Sequence, residues 1–327
     1  MSGIPLILDV DTGVDDACAL LLAALHPDLD LRAVTCVGGN APLADVVRNT
    51  LAVLATTARL DVPVAAGADR PLLEDPVDAR HVHGQDGMGD LGWPLAHHQP
   101  DERHAVELLR DVLLTAADTG ERITLVPLAP LTNIALLLRT YPTVAQGISR
   151  IIFMGGAAAS GNATASAEFN VFHDPEAAAI VLDAAADLGI PVTMYGLDVF
   201  YRPRVRREEA EAMIARDPHG PGGLGGRLIR FQCERFETDA ATIGDAGAVC
   251  AVIDGSKLAT TVLPVRVELA GRYTRGRTIV DHRDWSGDLT HDPHGQSDVV
   301  VDVALDVDAS AYSRLWIHTV QGDMTRG

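Results

Sequence analysis

Four carboxylates fall within eight residues in Asp9-Val10-Asp11-Thr12-Gly13-Val14-Asp15-Asp16. They end an apolar run over residues 5–10 that reads as a buried strand, and a helix is predicted from about residue 15 to 25. In an open α/β sheet this strand end is where ligands bind. Two unit charges about 4 Å apart repel by about 4 kcal/mol at an effective dielectric near 20, so such a cluster needs a cation, protonation or a helix dipole. Asp15 and Asp16 can draw on the N-terminus of the helix they open; Asp11, in the preceding turn, has no such support. Ligands that are all oxygen suit a hard divalent ion, Ca²⁺ or Mg²⁺.

Rival readings of the cluster are weaker. A helix cap with spare surface acids explains Asp15 or Asp16 singly, but not all four behind a buried strand. An EF-hand counted from Asp9 would need Glu at its twelfth position, which is Leu20. A phosphatase of the haloacid dehalogenase type also opens with a strand and Asp-x-Asp. It places Thr at the fifth position, where this chain has Gly13, and has no use for Asp15-Asp16-Ala17.

The elements that must position these groups alternate. Apolar runs at 31–37, 62–66, 123–128, 151–154 and 192–195 read as strands, with helices near 43–58, 104–117 and 175–188. Runs without polar alternation, separated by helices, indicate a parallel sheet covered on both faces. The expected fold is α/β, a doubly wound, mostly parallel sheet flanked by helices, with a helical and β C-terminal extension, all in one domain over residues 1–327. That extension comprises helical stretches at 228–236 and 247–253, weakly alternating strands at 262–269 and 299–305, and a last helix at 310–320. Two segments break the rhythm. Residues 67–100 form a long Pro/Gly/His-rich loop containing His81-Val82-His83-Gly84, of a length that is usually functional or mobile. The Gly-rich stretch 217–226 reads as a flexible connection between helices.

Composition narrows the function. The 327 residues carry a formal charge of −19, which argues against a nucleic-acid partner, since that requires clustered Lys and Arg. A hydrophobic fraction of 47% supplies a substantial core. Residues 1–9 lack a basic segment followed by an apolar one, and the apolar stretch 17–25 is too short to span a bilayer. A cytoplasmic protein with no membrane partner is expected. Cys18, Cys36, Cys233 and Cys250 are too few and scattered for a disulfide framework or zinc site.

Beyond these patterns, the chain resembles the nucleoside hydrolase (inosine-uridine preferring nucleoside N-ribohydrolase) family. That family opens with Asp-x-Asp-x-Gly-x-Asp-Asp-Ala, matched by Asp9 to Ala17. Gly39-Asn40, His83-Gly84, Pro130-Leu131-Thr132-Asn133 and Met154-Gly155-Gly156 follow in family order. So do Gly161-Asn162, Ala167-Glu168-Phe169-Asn170, Asp174-Pro175-Glu176-Ala177, Asp245 in Gly244-Asp245-Ala246-Gly247-Ala248-Val249, and Gly276 to Asp281. The resemblance covers nearly the whole chain.

It implies Ca²⁺-dependent hydrolysis of a ribonucleoside to ribose and free base. The ion is then held by Asp11, Asp16, a main-chain carbonyl at about Leu128, and Asp245, with the sugar diol and one water completing the shell. Asp11 is implied as general base toward that water; Asp15, Asn162, Glu168 and Asn170 hold ribose hydroxyls. Asn40 supports the same site and Met154 lies against the sugar. The resemblance also implies a homodimer or homotetramer acting on small molecules. From their types alone, Asn162 and Asn170 would read as turn formers, Glu168 as a surface acid, and Asp174-Pro175 as a helix start.

One departure stands out. The family often has His immediately before the last metal-binding Asp, where it helps protonate the departing base; here that residue is Gly244. His83 is the nearest substitute by family position, with His81 behind it. Stabilisation of the base without full protonation, with Trp93, Phe231 or Phe236 as stackers, is the third possibility. Base preference stays open, and a ribose-binding homologue that is non-catalytic or specific for a modified ribosyl group is the principal alternative.

Overall fold

The computed structural model describes residues 3–284, 290–292 and 294–323. Strand β1 (Ile4–Val10) is buried over its last five residues, as a strand covered on both faces must be. It leads into α1 (Val14–Leu25), β2 (Leu29–Cys36), α2 (Leu43–Thr56) and β3 (Val64–Ala66). A long connection holding the single turn α3 (Arg80–His83) reaches α4 (Ala105–Asp118), β4 (Ile123–Pro127), α5 (Thr132–Thr140) and β5 (Ile148–Met154). The short α6 (Phe169–His173) precedes α7 (Pro175–Leu188), β6 (Val192–Tyr195) and α8 (Leu197–Phe200). Then come β7 (Arg204–Arg206), α9 (Arg207–Arg216), α10 (Pro221–Arg235), β8 (Ala240–Thr242) and α11 (Ala246–Ile253). The chain closes with β9 (Leu258–Val267), β10 (Thr278–Val280), β11 (Val300–Val307) and α12 (Ala309–Val320).

The main sheet has the order β10-β9-β11-β6-β5-β4-β1-β2-β3. From β3 to β11 every neighbouring pair is parallel, and β9 and β10 complete one edge antiparallel. Strand order reverses at β1, which lies between β2 and β4. Such a reversal opens a crevice beyond the carboxyl ends of the two central strands. Asp11 follows β1 and Leu128 follows β4, so both stand at that crevice. One apolar layer, including Leu20 and Trp316, and a second, including Leu108 and Val181, make up the core. The doubly wound expectation holds.

The stretch 217–226 is not a flexible connection. Pro221 opens α10, and the Asp217 carboxylate accepts from the N–H groups of Gly220 (3.0 Å) and Gly222 (3.1 Å). The glycines serve close packing: a β carbon at Gly226 would lie 2.5 Å from the Ala210 carbonyl of α9, and one at Gly225 would lie 3.1 Å from the Trp316 ring. Contact with α9 and α12 offsets the roughly 1 kcal/mol that each helical glycine costs relative to alanine. Trp316 itself is fully buried and its indole Nε1–H donates to the Cys18 carbonyl at 2.9 Å, which ties α12 to α1. Among the described residues no helix is long and apolar enough to cross a membrane, and all four cysteines are buried and free.

Candidate active site

The turn after β2 is folded against Asp11. The Asn40 backbone N–H donates to Asp11 Oδ2 at 2.7 Å, and its Nδ2 donates to Asp11 Oδ1 (3.0 Å) and Asp16 Oδ2 (3.1 Å). One amide therefore bridges two carboxylates. A β carbon at Gly39 would fall 2.1 Å from Asp11 Oδ2, so only glycine lets the turn approach this closely. Asp16 also accepts from the N–H groups of Gly13 (2.9 Å) and Asp11 (3.2 Å), closing the N-terminus of α1.

Asp245, brought in by the turn between β8 and α11, completes a cluster. Asp15, Asp16 and Asp245 each offer an oxygen atom within 4.8 Å of the others. Oδ1 of Asp15 and Oδ1 of Asp245 are buried without a hydrogen-bond partner. Among the described residues, no Lys or Arg lines the adjoining cavity. Burial, and then the neighbouring carboxylates, push Asp16 up to about 7 and raise Asp11 and Asp245 well above the ordinary carboxylate range. Unsatisfied buried oxygens, mutual repulsion and the lack of a cationic side chain fit a hard divalent cation. Of the expected ligands, Asp16 and Asp245 belong to this group of three, and Asp15, expected at the sugar, is its third member. Asp11 is not one of the three but is tied to Asp16 by its own N–H and through Asn40, and Leu128 lines the adjoining cavity.

Above the carboxylates opens a cavity of about 400 Å³. Asp15, Asn40, His83, Leu128 and Met154 line it, as do Asn162, Glu168, Asn170 and Asp245. Asp11 and Asp16 lie fully buried, joined to its wall through Asn40. Glu168 is no surface acid. It caps α6, with Oε1 accepting from Asn170 N–H (2.8 Å) and Oε2 from Val171 N–H (3.1 Å) and Gly156 N–H (2.9 Å). Burial nevertheless holds its carboxyl near 7. Asn170 Nδ2 donates to the carbonyls of Leu128 (2.9 Å) and Met154 (3.1 Å), linking the ends of β4 and β5. Asn162 accepts at Oδ1 from Phe169 N–H (2.9 Å) and donates from Nδ2 to the Tyr201 hydroxyl (3.3 Å).

The supports of this wall were only partly legible in the sequence. Thr278, within the motif from Gly276 to Asp281, clamps Ala157 by accepting its N–H and donating to its carbonyl, both at 2.8 Å. Asp198 accepts from the N–H groups of Ala158 (2.8 Å) and Ala159 (3.2 Å). Asp174 caps α7 as expected, accepting from Ala177 N–H at 3.0 Å, and also receives the Thr132 hydroxyl at 2.7 Å.

The long loop 67–100 is a wall of the cavity, contributing Val77, Ala79, His81 and His83 among others. It is tied down: Asn49 Nδ2 donates to the Asp86 carbonyl (2.9 Å) and Arg235 Nε to the His81 carbonyl (2.8 Å). His83 is buried, and its Nδ1 accepts from Val14 N–H at 3.2 Å. The proton therefore resides on Nε2, and the 3.6 Å approach of Nδ1 to Asp15 Oδ1 is not a hydrogen bond. Burial lowers the His83 pKa, against the pull of Asp15. His81 is exposed at the cavity rim.

Gly244 adopts φ +54, and a β carbon there would meet Asp15 Cβ at 2.4 Å and Phe200 Cζ at 3.0 Å. Of the expected stackers only Phe236 reaches the cavity. Trp93 instead donates its Nε1–H to Thr56 Oγ1 (2.8 Å), and Phe231 packs beside Gly89. The aromatic wall consists of Phe169, Phe172, Phe200, Tyr201 and Phe236, four of the six phenylalanines of the chain. No periodicity marks the four besides Phe236 in the sequence: Phe169 and Phe172 share the short α6, and Phe200 and Tyr201 sit together at the end of α8.

Comparison with known proteins agrees with this geometry. A sequence model of the family described as "Inosine-uridine preferring nucleoside hydrolase" matches residues 6–314. The inosine-uridine preferring nucleoside hydrolase of Crithidia fasciculata is 38% identical over 284 residues, 85% of this chain and 88% of that protein. The pyrimidine-specific ribonucleoside hydrolase RihA of Photobacterium profundum is 38% identical over 282 residues, 85% of this chain and 88% of its own. The solved structure of a plant nucleoside hydrolase, PpNRh1, superposes with a TM-score of 0.85 at 27% identity, covering 97% of this chain and 98% of that one. The chain therefore belongs to the family of inosine-uridine preferring nucleoside hydrolases, enzymes that hydrolyse N-ribosyl bonds.

Proposed function

We propose that the protein catalyses Ca²⁺-dependent hydrolysis of ribonucleosides to ribose and free base. The observation that carries this reading is the meeting of Asp15, Asp16 and Asp245 within 4.8 Å at the floor of a cavity without Lys or Arg among its described lining residues. Ca²⁺ is favoured over Mg²⁺ because a set of carboxylates plus a main-chain carbonyl offers many oxygens in adaptable geometry. When bound, the ion supplies charge that lowers the pKa of nearby water and orients a vicinal diol.

The residues divide the remaining work. Asp11, fixed from both sides by Asn40, takes the proton of the attacking water; general-base help of this kind is typically worth about 10²–10⁴-fold. Asp15, Asn162, Glu168 and Asn170 hold the ribose hydroxyls, with Met154 against the sugar. Cleavage builds positive charge on the anomeric carbon and ring oxygen, and the ring of acids and amides stabilises it where it develops. His83, neutral at pH 7 with its proton on Nε2, offers a hydrogen bond at the loop side of the cavity. Release of reducing sugar from inosine, adenosine, guanosine, uridine or cytidine in the presence of Ca²⁺ tests the reading. Specific binding of a nucleoside with no sugar released from any of them would contradict it and identify a binding protein.

A further inference from the structure

Breaking a C1′–N bond leaves its electron pair on the base, and Gly244 can donate nothing to it. Among the described residues, only two hydroxyl-bearing side chains line the cavity, Thr242 and Tyr201. The Thr242 hydroxyl is committed: Oγ1 donates to the Phe200 carbonyl at 2.7 Å and accepts from Gly244 N–H at 2.9 Å. The Tyr201 hydroxyl only accepts, from Asn162 Nδ2 at 3.3 Å, so its own hydrogen is unspent. Its ring stands edge-on to Phe200 with centroids 4.9 Å apart, and Phe200 fills the space a side chain at position 244 would enter. Phe200 and Gly244 thus exclude a donor from one position, while the next residue along the chain presents one to the same cavity.

We propose that Tyr201 is the residue that donates a hydrogen bond to the departing base. The inference rests on the nucleoside hydrolase reading above. As the C1′–N bond breaks, its electron pair passes to the base, whose ring nitrogen or conjugated carbonyl oxygen accepts the Tyr201 O–H. The water oxygen bonds to C1′ and its proton goes to Asp11. The base leaves as a hydrogen-bonded anion and recovers a proton from solvent, and Asp11 returns its own, so one water is consumed per bond. Tyr201 stands half exposed at the cavity rim, and a tyrosine phenol, with an ordinary pKa of about 10, is protonated and therefore a donor through the neutral range.

The test is Tyr201→Phe, which keeps the ring, assayed on inosine, uridine and cytidine beside a nitrophenyl riboside whose leaving group departs without help. The expected result is a fall of about 10²-fold in kcat on the nucleosides the wild type cleaves, with a far smaller fall on the nitrophenyl riboside. An equal fall on both classes would show that Tyr201 acts through Asn162 and the sugar, and would overturn the proposal. No fall on either would overturn it too, as would a leaving-group-dependent loss found in His83→Ala but not in Tyr201→Phe. A wild type inactive on every nucleoside and on the riboside would instead defeat the underlying reading.

Discussion

Gly244 lies against Asp15 so closely that a β carbon on the glycine would come within 2.4 Å of the aspartate's own. The glycine is also left-handed, at φ +54. The residue before Asp245 is therefore part of how Asp15 reaches the cation cluster. Restoring an imidazole with Gly244→His is expected to harm the site rather than supply an acid. Strain at a left-handed position costs on the order of 1–3 kcal/mol. Displacing Asp15 is expected to weaken Ca²⁺ binding by about 10–100-fold, the usual effect of losing a residue that positions a metal site. Calorimetric titration with Ca²⁺ checks this, and unchanged affinity would show that Asp15 does not depend on the glycine.

The raised carboxylates set a pH signature. Asp16 and Glu168 move from 3.8 and 4.5 to about 7 on folding, so between those values the folded chain holds protons the unfolded chain has lost. Their contribution to metal-free stability is complete below the unfolded values and is lost as pH rises through about 7. His26, His83 and His173, whose pKa values burial lowers, act in the opposite sense. The diagnostic is therefore the difference in Tm with and without Ca²⁺. Because the ion must displace protons from the acids it binds, that difference is expected to grow from pH 5 to pH 8. A difference that is flat across this range would contradict a carboxylate cation site.

Asp11→Ala separates chemistry from folding. Loss of the base is expected to lower kcat by about 10²–10⁴-fold, while circular dichroism and a cooperative thermal transition show the fold retained. A near-wild-type kcat would remove Asp11 from the base role.

Trp316→Ala probes the support behind the site. It empties a fully buried ring position and strips the Cys18 carbonyl of its donor on the helix that carries Asp15 and Asp16. A loss of about 3–5 kcal/mol in denaturant unfolding is expected for such a cavity. A loss under about 1 kcal/mol, below the range for emptying a buried aromatic site, would mean that α12 is not docked as described.

What the sequence disclosed follows from where the information is local. β1, α1 and the acids between them are legible because an apolar run, a turn and a helix start lie close together along the chain. Glu168 and Asn170 are recognisable as site residues only through the family motif. The geometry that gives them buried backbone partners comes from β4, β5 and the loop after Gly156. α10 is misread because its glycines weaken helix propensity, and the compensating contacts with Ala210 and Trp316 are distant in sequence. Tyr201 carries no signal at all until Asn162, Phe200 and Gly244 are seen around it.

The central claim is that one bound Ca²⁺ at these acids enables ribosyl-bond hydrolysis. It is tested most directly by stripping the protein with a chelator, titrating Ca²⁺ back, and measuring ribose release from the nucleoside panel in the same samples. Activity that is absent without the ion and saturates at one Ca²⁺ per chain is expected. Full hydrolysis by ion-free protein, or stoichiometric Ca²⁺ binding with no ribose released from any nucleoside, would contradict the account.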